Sequence, residues 1–115
     1  MDNYDSLTNE ARFLLSKMYE TYLERINSGD SRSTANSFGS SYDIQKNVWP
    51  SESKDNVDSY AKELSRNGFI DARFADDIVW ISSLSSPAIA FMQHKFGNDL
   101  KKIGKAIFDL SKLFI

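Results

Sequence analysis

Apolar side chains in the first quarter of the chain recur at steps of three and four. Ala11, Leu14, Leu15, Met18, Tyr22 and Ile26 form one stripe of a helix. Thr8 is placed to cap it, Glu10 puts a negative charge where the helix dipole favours one, and Asn27-Ser28-Gly29 supplies the stop. The pattern predicts a helix over 8–27. The next stretch, "GDSRSTANSFGSSYDIQKNVWPSES" (29–53), is polar and Ser-rich, as a linker would be, but Ala35, Phe38, Tyr42, Ile44, Val48 and Trp49 are spaced as buried anchors. With Asp30 or Ser31 as one cap and Ser40 or Ser41 as another, it predicts two short helices, ending at Gly39 and before Pro50.

Ser51 or Ser53 caps a further helix, about 53–66, in which Val57, Tyr60, Ala61 and Leu64 fall at i, i+3, i+4 and i+7. Asn67-Gly68 closes it, because glycine readily takes the left-handed conformation of a helix end. Two short runs rich in Phe, Ile, Val and Trp follow, "FIDARFA" and "IVWISSL", and read as strands joined by an Asp76-Asp77 turn. Pro87 suits a first helical turn behind a capping Ser86, with a helix from Ala88 to Phe96 and a kink or break at Gly97. At the end, Phe96, Leu100, Ile103, Ile107, Leu110 and Phe114 alternate steps of four and three, with lysines between them, as in an a/d seam.

Composition narrows the class. A chain of 115 residues, 41% hydrophobic and 13% aromatic, suits one globular domain over 1–115 with a single modest core. It lacks cysteine, so disulfides and thiolate metal sites are excluded. No apolar run approaches the ~20 residues that span a bilayer, and the acidic "MDNYDSLTNE" is unlike a signal peptide. These features fit a soluble cytoplasmic protein. The net charge of −2 argues against indiscriminate nucleic-acid binding. Positive charge gathers at 94–115, where five lysines face two aspartates, rather than on the 53–66 helix.

The order of elements, with "LSRNGFI" leading from a helix straight into a hairpin, resembles the winged helix-turn-helix family. In that family a Leu–x–x–x–Gly–aromatic/Ile junction, here Leu64, Gly68, Phe69 and Ile70, feeds the first wing strand. The C-terminal "LSSPAIAFMQHKFGNDLKKIGKAIFDLSKLFI" is similar to the tail of small winged-helix proteins of Gram-positive bacteria and their phages. The resemblance implies an α+β, mostly helical fold in which 8–84 form the helices and a two-stranded wing and 86–115 an amphipathic C-terminal segment. It also implies a double-stranded DNA partner and a role in transcription regulation. The alternative is the same fold used as a protein–protein interaction module.

On the helix that would read DNA, the outward positions offer Lys54, Asn56, Ser59, Lys62 and Arg66, supplemented by Arg32, Lys46 and the wing's Arg73. Lys and Arg neutralise phosphate or read guanine, and Asn pairs with adenine. Asp55, Asp58 and Glu63 on the same helix, and Asp71, Asp76 and Asp77 in the hairpin, oppose a phosphate backbone; a solvated face of mixed charge has nearly equal weight. Asp76-Asp77 lacks a third ligand at a recognisable spacing and reads as a polar turn rather than a metal site. The single histidine, His94, has no nucleophile motif nearby. No catalytic constellation, cofactor or metal is expected. Trp49 and Trp80 are able to stack on bases, but core packing is the stronger expectation for both. The seam Phe96, Leu100, Ile103, Ile107, Leu110 and Phe114 has two open readings: packing back on the first helix, or pairing with its copy in a homodimer.

Overall fold

The computed structural model describes residues 3–114. The first long helix, α1 (Asn9–Asn27), is the element on which the others are built. Thr8 caps it: its hydroxyl accepts from the Ala11 N–H at 3.2 Å. Phe13, Tyr19 and Leu23 are buried along with the predicted Ala11, Leu14, Leu15, Met18 and Tyr22, while Ile26 is half-buried. The stripe is therefore wider than its spacing indicated, because helices pack on more than one side of α1.

A single turn, α2 (Arg32–Ala35), follows, capped by Ser31. It ends at Ala35 rather than at Gly39, and residues 36–39 leave the helix to meet the hairpin that follows later in the chain. Next comes α3 (Ser41–Asn47), opened by a reciprocal capping box between Ser40 and Asp43. The Gln45 amide fastens the turn beyond it, donating to the carbonyls of Pro50 and Glu52 at 3.1 and 3.0 Å. Ser53 caps α4 (Lys54–Arg66), which buries Val57, Ala61 and Leu64 and holds Tyr60 half-buried, as the spacing predicted.

At Gly68 (φ 80°) the chain reverses, and Phe69 and Ile70 enter the core. Strands β1 (Ile70–Ala75) and β2 (Ile78–Leu84) pair antiparallel as a two-stranded sheet. Asp76 and Asp77 form the tip with φ of 51° and 63°, the left-handed pair that matches the twist of a two-residue hairpin. Pairing runs from Arg73–Ile81 directly to Phe74–Val79, so Trp80 is an extra residue in a bulge. The bulge corrects the expectation for Trp80. It breaks the in–out alternation, and the indole is 56% exposed instead of lying in the core.

The C-terminal segment is two helices, α5 (Ser86–Phe96) and α6 (Leu100–Ser111), followed by a short 3-10 turn to Phe114. Ser85, not Ser86, caps α5; its hydroxyl accepts from the Ala88 N–H, which puts Pro87 one place further into the first turn. Gly97 (φ 61°) ends α5, and Asp99 restarts the chain by accepting from the N–H groups of Lys101 and Lys102. Phe96 is thus buried from α5, while the rest of the seam belongs to α6 and the turn after it. Ile103 is fully buried, and Leu100, Ile107, Leu110 and Phe114 are half-buried against the same core. This stripe packs on α1 within the chain. Phe114 closes an aromatic group, 5.2 Å from Phe13 and 6.0 Å from Trp49 between ring centroids. The result is a mostly helical α+β domain in which no described helix is long and apolar enough to cross a membrane.

Candidate nucleic-acid interface

Helix α4 and the hairpin meet at Asp58. Its buried carboxylate accepts from the Ser41 hydroxyl at 2.6 Å and from the Val79 N–H at 2.9 Å, and pairs with the Lys62 ammonium at 2.8 Å. One side chain thereby links α3, α4 and β2. Burial pulls its pKa upward, but the hydrogen bonds from Lys62, Ser41 and Val79 outweigh that and leave it below the usual aspartate value. Glu63 is also engaged, accepting from the Thr8 N–H at 2.7 Å and its hydroxyl at 2.8 Å, which places a carboxylate at the positive end of α1.

Burial of Asp58 changes the charge that α4 shows to solvent, whereas Glu63, bonded only to neutral donors, keeps its charge at a half-buried position. Of Asp55, Asp58 and Glu63, only Asp55 is an exposed acid. Among the predicted contacts, Lys54, Asn56, Ser59 and Arg66 lie exposed on α4. The Lys54 ammonium sits 5.2 Å from the centre of the Tyr42 ring, bringing α3 and α4 together at this surface. Asn56 turns back to donate to Glu52 at 3.1 Å. Lys62 is half-buried and held by Asp58, so its charge is largely answered inside the protein. Arg66 has no ion-pair partner among the described residues.

The hairpin contributes exposed Arg73 together with exposed Asp71, Asp76 and Asp77. Its surface also carries Phe74, Trp80 and Ile81, all more than half exposed. Arg32 lies elsewhere, lining a depression with Tyr22, Ile26 and Gln93, and is not brought to α4. Lys46 is exposed on α3, and His94 is exposed on α5. Among the described residues no three His, Cys, Asp or Glu side chains gather as metal ligands. Sequence reasoning missed the buried role of Asp58 and the surface contact of Glu63 with Thr8. The helical step linking Asp58 to Lys62 was visible, whereas the partners Thr8 and Val79 are remote in sequence.

No protein family, curated protein or solved structure matches this chain.

Proposed function

We propose that the chain is a winged helix-turn-helix protein that binds double-stranded DNA as a transcriptional regulator, with α3 and α4 as the helix pair and β1–β2 as the wing. The observation that carries the reading is the burial of Asp58 and its pairing with Lys62. It leaves α4 presenting Lys54, Asn56, Ser59 and Arg66 against exposed Asp55 and a half-buried Glu63 drawn toward Thr8, a face able to approach phosphate. The direct run from Gly68 into β1 supports the wing assignment. Fluorescence polarisation with random genomic duplex, at low and moderate salt, tests the proposal. Binding that weakens with salt supports it, and absence of binding at low salt rejects it.

A second reading, a protein–protein interaction module, is favoured by a separate observation. Phe74, Trp80 and Ile81 expose large apolar surface on the hairpin, where contact with phosphate gains nothing from it. Under that reading, charge reversal at Asp55 weakens a protein complex, while DNA behaviour stays flat.

A further inference from the structure

The two outer edges of the hairpin are treated differently. Along β2, main-chain groups pointing away from β1 are answered by the body of the protein. The Val79 N–H donates to Asp58, the Ser82 carbonyl accepts from the Phe38 N–H at 3.1 Å, and Asn36 both accepts from the Leu84 N–H and donates to its carbonyl. In an antiparallel ladder the pairing residues alternate, so the partners of these positions, Ala72 and Phe74 among them, direct their N–H and C=O groups to the outer edge of β1. Among the described residues nothing pairs with Ala72 or Phe74 there, and the strand is exposed from Arg73 to Ala75.

Exposed edges usually carry charge that discourages pairing. Here the charges have a particular order. Asp71 and Arg73 flank Ala72 on the outer face of the hairpin, where they line one shallow depression with Ile81 and Ser83. Neither has an ion-pair partner among the described residues. If a second β1 is laid antiparallel about a twofold axis at Ala72, Ala72 meets its own copy. Asp71 then faces the copy's Arg73, and Arg73 faces the copy's Asp71. With Ala72–Ala72 as a hydrogen-bonded pair, the two charge pairs occupy non-hydrogen-bonded sites, where side chains lie closest. The sequence Asp-Ala-Arg is self-complementary in this register and repulsive when paired parallel in register.

We infer that β1 is a self-association edge, joining two copies of this chain through a continuous four-stranded sheet ordered β2–β1–β1–β2. In the same register Phe74 stands opposite the copy's Ile70. The inference stands apart from the DNA reading: Lys54, Ser59 and Arg66 lie on α4, outside the joined edge, while Arg73 is engaged by the copy's Asp71.

Sedimentation equilibrium without DNA, over a range of concentrations, tests it on the native chain and on Asp71→Arg, Arg73→Asp, the double exchange and Ala72→Pro. The side chains of Asp71 and Arg73 are exposed, and the Ala72 N–H points away from β2, so thermal melts should show the fold retained; proline is tolerated on such edges. The native chain should form a dimer. Each single reversal should raise its dissociation constant by about tenfold, and the double exchange should restore it, because opposite charges again face each other. Ala72→Pro should also dissociate it by removing the central donor. A native chain that stays monomeric overturns the inference. So does a dimer that ignores both single reversals, or a double exchange that fails to recover association. Should Ala72→Pro unfold, the charge exchange decides.

Discussion

Asp58 shows how much one side chain determines here. Its carboxylate closes hydrogen bonds to two other elements and meets Lys62, so truncation leaves the Val79 N–H without its partner in the interior. Asp58→Ala should destabilise the fold by about 1–3 kcal/mol in chemical denaturation. Because the folded pKa is depressed, the stabilisation from ionised Asp58 is fully present above the ordinary aspartate value of about 4 and is lost as pH falls through the lower folded value. Asp58→Asn should therefore flatten the loss of stability in that acid window, measured as melting temperature against pH. Asp77 tests a different cost. It holds φ at 63°, a conformation in which a side chain is disfavoured and glycine is at ease. Asp77→Gly should raise stability, because glycine takes this conformation without steric cost, and a urea titration resolves the change. An unchanged midpoint would show that the turn is not under strain.

At the scale of elements, α6 is explained by what lies beneath it. Ile103 is fully buried in the chain's own core. Ile103→Ala should cost about 2–5 kcal/mol. Ile103→Asp should abolish cooperative unfolding, since a carboxylate at that depth has no partner. A folded, merely dissociated Ile103→Asp protein would instead assign this stripe to an interface between copies. The seam looks continuous in sequence for a related reason. Phe96 and Leu100 keep the four-residue step, yet Gly97 at φ 61° turns the chain between them. Helical periodicity survives a break whenever both segments rest on the same core.

For the whole molecule, the decisive quantity is the charge left on α4 after folding. Few cations are free to meet phosphate, so affinity for random duplex should be at or weaker than the usual non-specific range of about 10⁻⁴–10⁻⁶ M, with a shallow salt slope. Arg66→Ala should weaken binding to all duplexes and reduce that slope by about 1 if the residue meets phosphate. Lys62→Ala should act chiefly on stability, because it removes the partner of a buried carboxylate. Polarisation titrations at several salt concentrations, run beside thermal melts, separate the two effects. Equal loss of DNA binding in both variants, with no change in melting, would contradict the division of roles.

Local chemistry alone determined most of the element plan. Ser and Thr caps, the helix stop at Asn67-Gly68, and the apolar steps of α1 and α4 each depend on residues within a turn or two of one another, so they are legible in the chain. The hairpin was legible for the same reason: its turn and strands are contiguous. Tertiary structure alone decided which side chains face water. Trp80 emerges because the bulge shifts the pleat, Phe13 and Tyr19 are covered because helices pack on several sides of α1, Asp58 turns inward to Val79, and Glu63 reaches across the surface to Thr8. The surface charge of α4 follows from those long-range contacts. Burial is a property of elements brought together, and no short window of the sequence contains both Asp58 and Val79 or both Thr8 and Glu63.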